Sequence, residues 1–567
     1  MDRYVPLPPL PARVSRLNEL AYDLWWSWNA EAREVFRDLD LPLWRFTDHN
    51  PVLLLHLVET DRLEHAATDP EFLRLYDEAI AALDTVRAGS GAWWSQRAPA
   101  PAHSPRAIAC VAPAFSLHQA LPLDGDGAAV AAGDFCKEAS DLGVPLVAVG
   151  LMHPRGYVHQ RLSAEGWQQD SIEYLDWSDM PITPALAPDG SRVAFTVSLP
   201  AAGGETGTVH VDVWQVRAGR VALYLLDTDV PDNGPADREL SAGFERPGTA
   251  RSTRRQALLE AGAPRTLSLL GIDPEITLDT AAAIAPGVHV PGWLARDMAV
   301  LVERHLGAGW RDHQDDEPWW DGVTAIPDAE LWDARQRLRG YLIDFTRERA
   351  RRRWTRERAG AAVLVAQGTL LDPGALTIGF ASRFGDDRRP DFIFRDPERL
   401  AAILTARRRP VQIVFAGRAH AGDEGAKRHL QRLFLRALDP IFGGRIAFLE
   451  DYDLHAARLL VQGCDLWLNT PAVDRPLPLG PLKAAINGVP AVTIEPSAHD
   501  AEGAWAFYRR LEEDIVPAFY HRDRAGVPVE WVARVRDTIR YGIPRFSARR
   551  AVKAAAERLY NPALRDV

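Results

Sequence analysis

Residues 376–416 read LTIGFASRFGDDRRPDFIFRDPERLAAILTARRRPVQIVFA. Leu376–Ala381 and Val411–Ala416 are short, unbroken apolar runs, and Pro397–Ala406 between them has helical spacing. An apolar run without polar alternation suits a strand covered on both faces, which is the situation in a parallel sheet. The alternation continues. Ile446–Glu450, Leu466–Asn469 and Ala491–Glu495 are further strand candidates, with helices expected over Asp423–Ala437, Leu454–Gln462 and Pro481–Ile486. This is a Rossmann-like order, with helices on both faces of the sheet.

A second α/β pattern lies upstream. Ala107–Phe115 and Pro145–Met152 are apolar strands separated by a short helix at Cys136–Leu142. Val193–Ser198, Val209–Val216 and Val221–Asp227 add β structure, with Ala218-Gly219 as a turn, and helices follow at Ser252–Leu270, Trp293–Leu306 and Asp328–Trp354. The first hundred residues read as helices instead, at Arg13–Trp28, Ala30–Leu39, Pro51–Val58 and Pro70–Ala88, and end in the linker Ala98–Pro105 (APAPAHSP). The tail Ala501–Leu559 is helical again. The expected architecture is α/β: a helical region over 1–100, a first α/β domain over 101–360, and a second Rossmann-like domain over 361–567 whose last helices cross back. Two such domains facing a cleft is the most economical arrangement.

Composition narrows the function. The chain has 567 residues and a net charge of -11, with 47% hydrophobic and 25% charged residues. Excess acid argues against nucleic acid, whose phosphates favour basic faces. No apolar run approaches the ~20 residues of a membrane helix, and no signal peptide is seen. Cys110, Cys136 and Cys464 are too few and too scattered for a disulfide framework or a zinc site, and a reducing cytoplasm fits them. The 18 tryptophans are read first as core filler and second as platforms for sugar rings.

Motifs of hydrolases and kinases are absent: there is no G-x-S-x-G, no P-loop lysine motif and no HExxH. Three places carry possible chemistry. Gly125, Gly127 and Gly133 (LDGDGAAVAAGD) form a glycine-rich stretch that could cradle phosphate, but Asp124 and Asp126 flank it, and a solvent-facing turn reads as well. Arg383, Arg388 and Arg389 follow a strand end, where ligands bind in open α/β sheets; Asp386 and Asp387 sit among them, and a surface salt-bridge network is the alternative. Lys483, on a very short helix between Pro481 and Asn487-Gly488, is either a solvated side chain or an imine-forming amine beside a cleft.

Ordered segments along most of the chain carry a resemblance. They are Leu17–Phe36 (LNELAYDLWWSWNAEAREVF), Leu43–Asn50 (LWRFTDHN), Ala139–Leu151 (ASDLGVPLVAVGL), Leu226–Asn233 (LDTDVPDN), Gly287–Trp293 (GVHVPGW), Val411–His420, Phe448–Pro471, Leu482–Val489 (LKAAINGV) and Gly526–Ser547. In these the sequence resembles the bacterial and archaeal α-glucan phosphorylases, the pyridoxal-phosphate-dependent branch related to glycogen phosphorylase. The resemblance implies two Rossmann-like domains around a cleft, the glycosyltransferase B-type arrangement, and phosphorolysis of an α-1,4-glucan to glucose 1-phosphate. By motif position, Lys483 matches the lysine that holds pyridoxal phosphate and Tyr452 lies in a segment bordering it. Arg383 matches a phosphate-binding arginine, Arg388 stands for a phosphate-binding lysine, and His289 matches the histidine of a sugar-binding loop.

The departures cluster on one site. The family's Gly-Gly-Leu-Gly corresponds to Gly125–Ala129 (GDGAA), and its Ala-Glu-Phe-Gly-Leu-His-Glu to Ala112–Gln119 (APAFSLHQ), without either acid. Thr277–Ala285 joins almost directly to GVHVPGW, so a long segment of cleft loops is missing, and Tyr-Lys-Arg is Asp387-Arg388-Arg389. Glu-Ala-Ser-Gly-Thr is shortened to Pro478-Leu479-Gly480, and an aromatic glycine-rich loop after Val492–Glu495 is gone. Loss of one preorganised contact can cost ~3 kcal/mol at a transition state. The expectation is therefore a shortened member with weakened or lost phosphorolysis, binding pyridoxal phosphate substoichiometrically or not at all, with α-glucan as ligand. A homodimer, or a pair with an intact relative, is the assembly the family suggests. A working phosphorylase with a rebuilt site and a ligand-less scaffold remain the alternatives.

Overall fold

The computed structural model describes residues 5–89, 91–97, 107–123, 125–155, 158–172, 174–200, 206–243, 249–279, 287–357, 359–385, 390–471, 478–494 and 501–560. The linker 98–105, Asp124 and the run 386–389 with Arg388 lie outside them, as do parts of 277–285 and 497–503. The chain forms two compact units. The first comprises Met1–Val158, Ile172–Gly292 and Ala551–Val567; the second comprises His159–Ser171 and Trp293–Arg550.

The first unit opens with helices whose starts are written locally. Asn29, Asp40, Asn50 and Asp69 each accept backbone N–H bonds at the head of a helix, and Pro70–Ala88 stops at Gly89, whose φ of 64° ends the helix in the left-handed region. The continuous helix expected over Arg13–Trp28 is instead broken into Ala12–Val14, Leu17–Tyr22 and the 3₁₀ turn Leu24–Trp28. The cause is Asp23, which is fully buried and extended. Its carboxylate takes the N–H groups of Trp25 and Gly219, so local capping and a long-range bond outweigh the helical pattern.

Nine strands follow in or beside this unit: β1 (Ile108–Val111), β2 (Leu146–Leu151), β3 (Val158–Leu162), β4 (Gln168–Ile172), β5 (Thr183–Pro184), β6 (Ala194–Pro200), β7 (Thr206–Ala218), β8 (Val221–Asp227) and β9 (Ile276–Asp279). One sheet runs β5-β7-β8-β2-β1-β9, with β6 on β7. It is mixed: β8, β2, β1 and β9 are parallel, whereas β5, β6 and β8 pair with β7 antiparallel. The helix Gly127–Leu142 begins nine residues before the expected Cys136. Val552 and Ala556, from the last helix, are buried in the same core as Val14, Trp26 and Phe72.

The second unit holds a five-stranded, wholly parallel sheet. Its strands are β10 (Leu376–Ala381), β11 (Val411–Ala416), β12 (Ile446–Leu449), β13 (Leu466–Asn469) and β14 (Ala491–Thr493), in the order β12-β11-β10-β13-β14. The order reverses between β10 and β13. β3 and β4 pair only with each other, and the hairpin they form belongs almost entirely to this unit. Its polar side chains pin strand ends: Gln160 donates to the Gly417 carbonyl, Gln168 exchanges bonds with Ala419, and Lys427 pairs with Asp170 at 2.6 Å. Most tryptophans are core: Trp26, Trp293, Trp310, Trp320, Trp467 and Trp531 are among the largest fully buried side chains. No described helix is long and apolar enough to cross a membrane.

Candidate functional site

In the second unit, Arg383 and Thr470 follow β10 and β13, the neighbouring strands at which the sheet order reverses. Crevices at such points are where open α/β sheets take ligands. The β10 end is tightly set. Gly417 has φ 122°, and a Cβ there would stand 1.8 Å from the Ser382 carbonyl oxygen. Thr470 is 4% exposed, and its hydroxyl has no hydrogen-bond partner among the described residues. An orphaned hydroxyl at this place is suited to a polar ligand.

Lys483 lies on the helix Leu479–Ala485 and is 7% exposed. Its ammonium sits 3.7 Å from the centroid of the Trp293 ring. Trp293 is fixed in turn, its carbonyl accepting from Gln462 and Asn487, while Asn487 also accepts the Ala295 N–H. The lysine therefore meets a π face, which attracts a cation. The helix begins after Pro478 with no side-chain cap, and Pro481 in its first turn offers no N–H.

Tyr452 follows β12. Burial, then the charges of Cys464 and Asp453, push its phenol above the ordinary value, so it is a neutral hydroxyl at physiological pH. Asp451 before it has φ 54° and is clamped by the hairpin: His159 Nδ1 lies 2.9 Å from its Oδ2, and Gln160 N–H donates to its Oδ1. Burial pushes the Asp451 carboxyl up, but the His159 bond and charge, the Arg349 charge and the Gln160 N–H outweigh this and leave it lowered.

In the first unit, the glycine-rich stretch resolves into a helix start. Asp126 caps Gly127–Leu142, its Oδ1 accepting from the N–H groups of Ala128 (2.9 Å) and Ala129 (3.3 Å). The donors that could cradle a phosphate are thus taken by a carboxylate of like charge. His289 is fully buried, with Nε2 2.9 Å from Asp141 Oδ2 and Nδ1 accepting from the Gly292 N–H at 3.2 Å. Both ring nitrogens are engaged within the protein. Asp141 belongs to the matched segment ASDLG, but its pairing with a histidine 148 residues away has no local signal.

These residues test the fit of pyridoxal phosphate. The amine of Lys483 is present. In the first unit the donors of the glycine-rich stretch are taken by Asp126, whereas in the second the lysine helix starts with no side-chain cap, which does not oppose an anion. Among the described residues, the second unit's buried lysine fits the group and the first unit's glycine-rich stretch does not.

Comparison with known proteins follows the same lines. A family described as a protein of unknown function (DUF3417) matches residues 10–121. Over nearly its whole length the chain is similar to a glycogen phosphorylase of Aquifex aeolicus, at 30% identity, with 97% of this chain and 98% of that protein covered. It is also similar to a maltodextrin phosphorylase of Thermococcus litoralis (27%; 98% and 82%) and a glycogen phosphorylase of Mycobacterium tuberculosis (28%; 99% and 83%). The Aquifex alignment spans 693 positions against 567 residues here, so the difference in length lies in internal gaps.

Proposed function

The chain belongs to the glycogen phosphorylase family as a shortened, divergent member, and on that premise we propose that it binds α-glucan with phosphorolysis weakened or lost. Asp126 carries this reading. A carboxylate holds the helix N-terminus at the position that resemblance pairs with the family's glycine-rich loop. Two unit charges at 4 Å interact by ~4 kcal/mol at an effective dielectric near 20. Phosphate brought to this point meets repulsion where it needs donors. The reading extends to the architecture, with the two α/β domains facing a cleft, and to the cytoplasm, whose reducing conditions suit three buried thiols that form no disulfide. Arg383, Arg388 and His289 are assigned to the glucan or anion side of the site, and Lys483 and Tyr452 to the cofactor side. The assembly proposed is a homodimer or a pair with an intact relative.

The test is an absorbance spectrum of the purified protein with an assay for glucose 1-phosphate from maltodextrin and phosphate. The expected result is no stoichiometric imine band, no phosphate-dependent product, and retained binding of maltoheptaose. An imine band abolished by Lys483→Ala, together with product, would overturn it. That outcome would favour the second reading, a working pyridoxal-phosphate phosphorylase, which the buried Lys483 and the orphaned Thr470 hydroxyl support.

A further inference from the structure

Residues 10–121 match a family with no assigned function, and one of their side chains reaches the His289 loop. Trp28, 4% exposed, donates its indole N–H to Asp141 Oδ1 at 3.1 Å. Its ring meets the His289 ring edge-on, with centroids 5.5 Å apart at 81°. The other oxygen of Asp141 faces His289 Nε2. One carboxylate therefore ties the N-terminal helical segment to the histidine, with both of its oxygens in use.

The position of Trp28 is itself fixed from two sides. Asp23, before its 3₁₀ turn, is bound to Gly219, Trp25 and Arg87. Asn29, directly after it, caps the next helix on Ala32. Trp26, two residues earlier, packs edge-on against Phe36, Trp44 and His118.

The hydrogen bonds also set the tautomer of His289. A backbone N–H can only donate, so Gly292 requires a lone pair on Nδ1 and places the proton on Nε2, where Asp141 accepts it. Glu138, Asp141 and His289 present ligand atoms within 4.8 Å of one another, the look of a metal site. A cation at Nε2 would have to displace that proton while Nδ1 remained an acceptor, contrary to the usual second bond of a metal-bound histidine. The geometry suits a held imidazole rather than a ligated one. Gly292 contributes by its bareness: a Cβ there would lie 2.9 Å from Nδ1.

We propose that Trp28 and Asp141 are positioning residues for the sugar loop, holding the His289 ring in one tautomer and orientation so that residues 287–292 present a fixed backbone to a glucan. The N-terminal segment thereby gains a role: it is the wall against which the loop is set. The sugar part of this proposal rests on the glucan-binding reading; the ring part does not.

The experiment uses the full chain, its Trp28→Phe and Asp141→Asn variants, maltoheptaose as probe, and long-range ¹H–¹⁵N spectra of the His289 ring. Phenylalanine keeps an aromatic ring and removes the donor with the pyrrole part of the indole. Asparagine offers one acceptor and one donor to two N–H groups. Hydrogen bonds to a charged group set the scale, so Asp141→Asn is expected to weaken maltoheptaose binding about tenfold and Trp28→Phe about threefold. Both should move the His289 nitrogen shifts, with Trp28→Phe remaining folded by circular dichroism. Parent-like affinity and an unmoved His289 spectrum in Trp28→Phe would overturn the proposal even if Asp141→Asn fails to fold. If the parent does not bind maltoheptaose, the glucan reading falls, and the ring spectra alone decide: moved shifts keep the positioning role, unmoved shifts end it.

Discussion

Lys483 and His289 lie in different compact units, and each is buried against a tryptophan, but they are held in opposite ways. The lysine ammonium rests over the face of Trp293. A π face attracts charge without fixing the direction of a donor. The histidine is bonded at both nitrogens and meets Trp28 edge-on. The histidine cannot exchange either bond without leaving a buried polar atom unsatisfied.

Substitutions at Gly417 in the second unit and Gly292 in the first should separate the two units most widely. Gly417→Ala puts a Cβ into the Ser382 backbone at a φ of 122°, so neither atom can yield. A loss of about 4 kcal/mol, or failure of the second unit to fold, is expected in urea denaturation followed by circular dichroism. A parent-like curve would mean that the β10 and β11 ends are less closely set. Lys483→Ala should come next, at about 2 kcal/mol, since it leaves a cavity beside Trp293. Lys483→Met, which keeps the stem, should stay within about 1 kcal/mol. Equal losses in these two variants would show that charge rather than packing dominates there.

Gly292→Ala pushes only on a side-chain nitrogen, so about 1–2 kcal/mol is expected, with the His289 spectrum changed. Acid should act more gently still. Asp451 lies below its ordinary value in the folded chain, so the native state binds fewer protons there than the unfolded one. Its stabilisation is complete above the ordinary aspartate value of about 3.9 and is lost as pH falls through the lowered folded value. Asp451→Asn should flatten that part of the acid limb in urea midpoints measured against pH; an unchanged limb counts against the His159 clamp. The smallest effect is none. Cys110, Cys136 and Cys464 are buried, and burial pushes the thiols of Cys136 and Cys464 up to about 12. Ellman's reagent at pH 8 should label none of the three in native protein and all three in guanidinium.

How far the sequence revealed this depended on where the bonds go. The second sheet was legible strand by strand, because strands covered on both faces are written as continuous apolar runs. The β3–β4 hairpin was not, because VHQRL and QQDSI look like surface loop. Gln160 and Gln168 are nevertheless 4% and 1% exposed, their polarity serving backbone groups of another part of the chain. The helix from Gly127 looked like a loop, since its glycines masked a good aspartate cap. Among the candidate residues, motif matching named Lys483 and His289. It could not find Thr470, whose importance lies in a hydroxyl left over, nor Asp141, whose partners are 113 and 148 residues away.

The two compact units are interleaved along the chain: residues 159–171 leave the first for the second, and Val552 and Ala556 return to the first core after the second is complete. On a ribosome, the first unit must wait for nearly the entire message before its last helix exists. Meanwhile the hairpin, made early, has no sheet to join. A gene organised this way has no seam at which one half can be dropped, duplicated or traded. Truncation at the end removes part of the beginning, and a cut in the middle orphans both. Heritable shortening is then confined to internal excisions, and the missing length of this chain does lie in internal gaps.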